Sequence, residues 1–232
     1  MKELPVLFST PMVQAILENR KTMTRRTHGL ERINDYVQKG HTFRYDSIED
    51  GPDEDGNIWF EEISPDGNPT GIYRSAKPQY QIEDHIWVRE TFFDARKWKY
   101  APLFADGPDF IYKADEDAFI GDHNWKPSLF MPKVAARIWL EVTNVRCERL
   151  MNISEEDAFA EGIEWKIKYP EECPDTKYYK DYSVKKKERY AFGYAFGAVN
   201  SFITLWDSIN GSGSHNLSPW VFVYEFKRIE RP

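Results

Sequence analysis

Near its carboxyl end the chain reads Pro-Trp-Val-Phe-Val-Tyr-Glu-Phe-Lys at positions 219–227. From Trp220 to Tyr224 every side chain is apolar or aromatic, so both faces of an extended segment are apolar there. A strand of this kind belongs in the interior of a sheet, because a strand at the surface would expose one apolar face to water. The stretch therefore predicts a central strand near 220–228, in a sheet or a barrel.

Periodic apolar positions mark the other regular elements. Strict alternation predicts strands, whereas apolar residues three and four apart predict helices. Pro11 suits the first turn of one helix, and Ser154 and Gly162 suit the two ends of another. On this basis helices are expected near 11–18, 154–161 and 190–207, and further strands near 85–92, 110–113 and 134–146.

Two segments do not fit this pattern. The segment 41–79 is acidic and rich in Gly, Pro and Asp, which predicts an irregular, mostly exposed excursion with Trp59 and Phe60 in a short hairpin strand. The segment 165–190 is charged and rich in tyrosine. At 232 residues the chain can bury a full core. We therefore expect one α+β domain spanning 1–232, with insertions at about 41–79 and 165–190.

The composition restricts the class of partner. A formal net charge of −7 argues against a protein that coats long nucleic acids, since that mode needs a broad basic surface. Cys147 and Cys173 show neither CxxC spacing nor a histidine cluster beside them, so we expect no metal site and no cofactor. No apolar run approaches a membrane span, and the opening Met-Lys-Glu-Leu-Pro lacks the core of a signal peptide. We expect a cytoplasmic protein with no membrane partner.

A basic cluster stands out against this acidic background. Residues 20–26 read Arg-Lys-Thr-Met-Thr-Arg-Arg, directly after the first predicted helix. A turn and packed neighbours there would hold Lys21 against the threonines and make its amine a reagent. The simpler interpretation is that these cations complement the negative end of the helix. We expect Lys21 to be partly exposed, so that its replacement by alanine leaves the chain folded.

Glu161 is the unusual residue of the helix predicted near 154–161. It stands in the last turn, where the negative end of the helix dipole disfavours a charged carboxylate unless a cation compensates. The alternative is an exposed glutamate that tolerates a small penalty. Without such a cation the protonated form of Glu161 is favoured, which suits a proton donor.

Taken together, these segments resemble the ASCH domain family, a branch of the PUA-like β-barrels, and more closely its larger phage- and prophage-associated members. Residues 19–26 are similar to the family element G-x-K-T-x-T-x-R, with Asn19 where glycine is commoner. The other matching segments, in the expected order, are 84–91, the helix within 153–162, and 205–210 before the terminal strand. The resemblance implies a small PUA-like β-barrel with flanking helices and two insertions.

Some small ASCH proteins remove the acetyl group from 4-acetylcytidine with a lysine, a threonine and a glutamate. Matching motif by motif, the resemblance assigns these roles to Lys21, Thr24 and Glu161. A lysine with a lowered pKa accepts the threonine proton, the threonine attacks the amide carbonyl, and the glutamate protonates the leaving amine. Lys21 and Thr24 would face opposite sides of a regular strand, so this chemistry requires a turn at Lys21 or Thr22.

Further residues are expected to line the same pocket. They are Arg26, which could stabilise an oxyanion, and Trp87, Arg89 and Glu90, of which Arg89 and Glu90 alternate along a strand. Only one of that last pair is expected to reach a ligand. The implied partner is a modified nucleoside or a short single-stranded RNA. An RNA-binding ASCH module without catalysis and an ASCH-type ribonuclease stay open as alternatives, because fold alone does not decide function.

Overall fold

Helices and strands follow one another along the chain in the computed structural model. It describes residues 1–45, 52–97, 107–115, 125–167, 171, 176–183 and 194–232. Contacts between residues divide the chain into two units, each made of separate segments of sequence. Unit 1 comprises Met1–Arg20, Ile82–Thr143 and Phe226–Pro232, and unit 2 comprises Lys21–Gln81 and Asn144–Glu225.

Unit 1 contains one helix and a sheet in which parallel and antiparallel pairs are mixed. Its elements are β1 (Glu3–Leu7), α1 (Thr10–Leu17), β6 (His85–Arg89), β7 (Phe92–Asp94), β8 (Phe110–Tyr112) and the first part of β9 (Trp139–Arg149). Strand β6 pairs in parallel with β1 and antiparallel with β9. Aromatic residues including Trp87, Phe92 and Trp139 form the hydrophobic core of this unit.

Unit 2 contains the remaining elements. They are β2 (Met23–Arg26), α2 (Glu31–Gln38), β3 (Thr42–Tyr45), β4 (Ile58–Ile63), β5 (Pro69–Ala76), α3 (Glu155–Ala160), β10 (Trp165–Ile167), β11 (Lys177–Lys180), β12 (Tyr194–Ala195), α4 (Gly197–Asn210), the last part of β9 and the first part of β13 (Trp220–Ile229). Within this unit the strand order is β9-β13-β2, and β2 runs antiparallel to β13. Met23, Phe202, Trp206 and Val221 belong to the core that joins this sheet to α3 and α4.

The strongest sequence predictions are confirmed. Helices α1 and α3 and strands β8 and β13 lie where they are expected, within about two residues. In β13 the side chains from Trp220 to Tyr224 are all buried, as an interior strand with two apolar faces requires. Ser154 accepts a hydrogen bond from the Asp157 amide and so caps α3 as predicted.

Three boundaries are wrong. The helix expected near 190–207 begins only at Gly197, because Tyr194–Ala195 pairs with β11 and Gly197 has a φ of 82°; residues 190–193 lie outside the described part. The strand expected near 134–146 begins at Trp139, after a 3-10 turn at Lys133–Ala135. The strand near 85–92 divides into β6 and β7, which do not include Glu90 and Thr91.

The excursion predicted at 41–79 is exposed at most of its described positions, as expected, but the prediction that it is irregular is wrong. Strands β3, β4 and β5 form an antiparallel sheet there, and the predicted strand at Trp59 and Phe60 is part of β4. Phe43, Ile58 and Phe60 are buried, so one face of this sheet belongs to the core of unit 2. Helix α2 was not predicted at all.

The described residues form a mixed α+β structure, which confirms the α+β part of the predicted fold class. No closed barrel is detected among the described strands, and the small PUA-like barrel stays a prediction. No described helix has the length and apolarity needed to cross a membrane.

Candidate functional site

A backbone contact brings Lys21 and Glu161 together. The two residues form an isolated antiparallel β-bridge, and the Thr22 amide donates to the Ala160 carbonyl at 2.9 Å. Residues opposed across such a bridge have Cβ atoms about 4.5–5.5 Å apart. The start of the basic cluster is therefore fixed against the end of α3.

The Lys21 side chain completes this contact. Its Nζ donates to the Glu161 carbonyl oxygen and to Glu161 Oε2, each at 2.8 Å, across 140 residues of sequence. The two side chains are 0% and 4% exposed. The expectation of a partly exposed Lys21 is therefore wrong, because the bridge places its amine inside unit 2.

The environment lowers the pKa of Lys21. Burial is the largest cause, since it removes water from the ammonium, and the nearby Arg26 and Arg25 charges act in the same direction. The Glu161 carboxylate opposes them but does not cancel them. A lysine whose pKa is lowered is a better proton acceptor near neutral pH than an exposed one.

Glu161 occupies the C-cap of α3, where its amide donates to the Asp157 carbonyl at 2.9 Å. Lys21 and Arg25 supply the cations that a carboxylate at this end of a helix requires. Asp157 and Glu161 stand four positions apart, so their side chains project from one face of the helix. This face of α3 therefore carries two acidic side chains of the site.

Arg25 is the residue of this site that the sequence did not single out. Its Nη1 donates to Glu161 Oε1 at 3.2 Å, and its Nη2 donates to Glu148 Oε1 at 2.7 Å and also to Asp157. Burial opposes the charge of this fully buried guanidinium, but the three carboxylates outweigh it and raise the pKa of Arg25. The spacing of Asp157 and Glu161 was the available signal, because two acids on one helix face call for a cation.

Thr24 lies on β2, directly opposite Tyr224 of β13, and is 2% exposed. Strand β2 begins at Met23, and the turn that the chemistry requires at Lys21 or Thr22 is not seen at either residue. Alternation along β2 puts Arg25 on one face and Thr24 and Arg26 on the other. Contact between the Thr24 hydroxyl and the Lys21 amine therefore stays a prediction.

Aromatic side chains accompany Arg26 on this second face. Burial lowers the pKa of Arg26, although electrostatic interactions with Tyr80, Glu161 and Tyr224 act to raise it. The rings of Tyr80 and Tyr224 meet edge to face at 5.0 Å, and Tyr224 Oη accepts from the Gln79 amide at 3.0 Å. Burial also raises the pKa of Tyr80 to about 12.

Trp87, Arg89 and Glu90 belong to unit 1. Trp87 is part of the aromatic core of that unit, and the Arg89 guanidinium lies 5.6 Å from its ring centroid. Glu90 is 1% exposed and accepts from Arg137 Nε and Nη2 at 2.9 and 3.0 Å. Burial raises the pKa of Glu90, although the hydrogen bonds and the charge of Arg137 act to lower it. Their place in a pocket with Lys21 stays a prediction.

Unit 2 also contains a cavity of about 280 Å³. Its lining comes from the end of β2, from α2 and α4, and from the loop before β13, namely Thr27, Asn34, Val37, Gln38, Trp206, Asn210, Gly213, Ser214, Leu217 and Pro219. This lining does not include Lys21, Thr24 or Glu161. Among the described residues, no three His, Cys, Asp or Glu side chains are grouped so as to hold a metal ion.

Comparisons with protein-family models, with curated proteins and with solved structures find no match to this chain. The resemblance to the ASCH family therefore stays a prediction from its motifs.

Proposed function

We propose that this protein is an amidohydrolase with the PUA-like fold of the ASCH family, which removes an acyl group from the exocyclic amine of a modified cytidine or a related nucleoside. One observation supports this most directly. The resemblance assigns the roles of base and acid to Lys21 and Glu161. Lys21 Nζ lies 2.8 Å from Glu161 Oε2, although the two residues are 140 positions apart in the sequence. The lowered pKa of Lys21 adds to this support.

The pair is suited to moving one proton. A proton shift along the hydrogen bond from Lys21 Nζ to Glu161 Oε2 leaves a neutral amine and a protonated acid. In this form Lys21 takes the proton of the Thr24 hydroxyl while Oγ1 attacks the acyl carbonyl carbon. Arg26 or backbone amides stabilise the resulting oxyanion.

The intermediate then collapses with cleavage of the carbon–nitrogen bond. Glu161 gives its proton to the leaving amine, and the acyl group stays on Thr24 as an ester. Water attacks that ester, one of its protons passes through Lys21 to Glu161, and its oxygen becomes part of the released carboxylic acid. The proton held by Lys21 since the first step returns to Thr24 Oγ1, which restores the enzyme.

A second candidate is an RNA-binding ASCH module without catalysis. It is favoured because the Lys21 ammonium and the Glu161 carboxylate form a salt bridge with each other and are both buried. A buried pair of this kind also serves as a structural link between β2 and α3. The two candidates differ in whether Lys21 changes a substrate or only supports a binding surface.

The test is incubation with a panel of acylated nucleosides, followed by chromatography of the products. We expect deacylation of a 4-acylated cytidine, no reaction with Lys21→Met or Thr24→Ala, and partial activity with Thr24→Ser. Glu161→Gln keeps the shape but delivers no proton, so a loss of about 10²–10⁴-fold is expected. Lys39→Met is the matched control, since Lys39 forms an exposed ion pair with Asp35.

The contrary results are equally specific. If the wild-type protein processes no acylated nucleoside but binds RNA oligonucleotides, and Lys21→Met only weakens that binding, the module without catalysis takes the place of the enzyme. Cleavage of the oligonucleotides during the same assay would instead identify a ribonuclease. Every variant is first checked by circular dichroism, so that loss of activity is not confused with loss of fold.

A further inference from the structure

Arg25 joins three elements of unit 2. From β2 its guanidinium reaches Glu148 at the end of β9, and Asp157 and Glu161 on α3. The Arg25 side chain is 0% exposed, while Glu148, Asp157 and Glu161 are 18%, 21% and 4% exposed. One planar cation therefore holds three carboxylates from two other elements in a fixed arrangement.

Arg25 and Lys21 each bind a different oxygen of the Glu161 carboxylate. Arg25 Nη1 lies 3.2 Å from Oε1, and Lys21 Nζ lies 2.8 Å from Oε2. With one oxygen fixed by Arg25, the carboxylate cannot rotate to exchange its oxygens without losing both contacts. Oε2 is thus kept in line with the lysine amine.

We propose that Arg25 is a positioning residue, which holds Glu161 through Oε1 and so aims Oε2 at the amine of Lys21. This inference rests on the proposed amidohydrolase function for its catalytic meaning, but the positioning itself follows from the contacts. Arg25 touches neither the substrate nor the reacting atoms in this scheme. It acts through Glu161.

A lysine at position 25 would not do the same. Arginine presents several donors in one rigid plane, whereas a lysine ammonium is a compact point charge on a flexible stem. Arg25→Lys therefore keeps the positive charge among the carboxylates, which favours folding, but gives up the simultaneous contacts with Glu148, Asp157 and Glu161. It separates the positioning of Glu161 from the mere presence of a cation.

Arg146 provides a matched control. It donates to Glu148 at 3.3 Å and also to Asp157 and Glu225, so it shares two of the three carboxylates with Arg25. Within the described residues it has no hydrogen bond to Glu161. Arg146→Gln thus disturbs the same network and leaves the Glu161 contacts in place.

The experiment measures kcat, KM and the pH profile of kcat for both variants on a 4-acylated cytidine, at a temperature where each is fully folded. For Arg25→Lys we expect kcat to fall about 10–10²-fold, as small misplacements of reacting groups do, with KM within about twofold and a shifted pH profile. Arg146→Gln keeps the wild-type kcat and profile. A wild-type kcat and pH profile in Arg25→Lys, or an equal loss in Arg146→Gln, overturns the proposal.

A second measurement separates this proposal from the proposed function. Urea unfolding midpoints are compared for Arg25→Lys, Glu161→Gln and the double variant, and for the same cycle with Arg146→Gln. We expect the shifts of Arg25→Lys and Glu161→Gln to be non-additive, and those of Arg146→Gln and Glu161→Gln to add. An inactive wild type with this result removes the amidohydrolase and leaves the Arg25–Glu161 link. Additive shifts in the first cycle remove the link, whatever the activity.

Discussion

The burial of Lys21 changes what a substitution there does to the protein. An exposed lysine can be removed with little effect on folding, but Lys21 is 0% exposed and donates to two oxygens of Glu161. Its loss leaves a carboxylate in the interior with one cation fewer. Activity measurements on Lys21 variants therefore need a stability measurement beside them.

We predict that Lys21→Met lowers the free energy of unfolding by about 3 kcal/mol, the lower end of the range for breaking a buried ion pair. The lower end applies because Arg25 still contacts the Glu161 carboxylate. Urea denaturation followed by circular dichroism measures the change. Lys39→Met, which breaks an exposed pair, should shift the midpoint little, and an equal shift in both variants would contradict the prediction.

A second prediction at the residue scale concerns stability at alkaline pH. Burial raises the pKa of Tyr80 from 10.0 to about 12, against the opposing influence of Arg26. The folded state therefore keeps a proton that the unfolded chain releases from about pH 10. The contribution of Tyr80 is complete below pH 10 and is lost as the pH rises to about 12.

Tyr80→Phe should remove this part of the pH dependence. A shift of two pKa units corresponds to about 2.7 kcal/mol, so the wild type should lose about that much more unfolding free energy than the variant between pH 10 and 12. Urea denaturation at closely spaced pH values measures the difference. Parallel curves across this interval would show that the phenol of Tyr80 is not held neutral by the fold.

At the scale of elements, helix α2 depends on the turns that flank it. Gly29 and Gly40 stand before and after the helix with φ values of 90° and 91°, in the left-handed region that favours glycine. Their surroundings differ. A Cβ on Gly29 would lie 2.4 Å from the Lys77 carbonyl oxygen, whereas nothing lies within 4 Å of a Cβ on Gly40.

Alanine at the two positions separates backbone strain from steric conflict. Gly40→Ala should cost about 1–2 kcal/mol of unfolding free energy for its backbone conformation alone. Gly29→Ala should cost about 1–3 kcal/mol more, since the Lys77 carbonyl must also move. Equal losses in urea denaturation would mean that the chain around Lys77 adapts without cost.

At the scale of the whole molecule, the sheet β3-β4-β5 is part of the core of unit 2. Phe60 of β4 is 0% exposed, and its ring meets Trp220 of the interior strand β13 edge to face at 5.1 Å. Its neighbour Trp59 points to the other face of the sheet and is 39% exposed. The segment expected as an insertion therefore packs as an integral part of unit 2.

Alanine substitutions on the two faces of β4 test this. Phe60→Ala should lower the free energy of unfolding by about 3–5 kcal/mol, through lost burial and the cavity that remains. Trp59→Ala should cost less than Phe60→Ala, since its side chain is 39% exposed whereas that of Phe60 is fully buried. Similar small losses for both would indicate that the sheet is dispensable.

The sequence by itself determined the elements whose signals are local. The apolar run of β13, the first-turn proline of α1, and the cap and acidic first turn of α3 each act within a few residues, so short windows suffice to predict them. The sequence also selected Lys21 and Glu161, one from a basic cluster and a motif, the other from an acid at the wrong end of a helix. It did not predict α2 or the sheet at 42–76, because Gly, Asp and Pro in the turns obscured short strands between them.

The tertiary structure alone decided how these residues meet. The β-bridge between Lys21 and Glu161 and the contact of Arg25 with Glu161 join positions 140 and 136 residues apart. No local spacing encodes such a pairing, because it depends on the register between β2 and α3 that the core of unit 2 fixes. The burial of Lys21 has the same origin. An amine becomes a buried base only when another segment of the chain removes its water and supplies the carboxylate in its place.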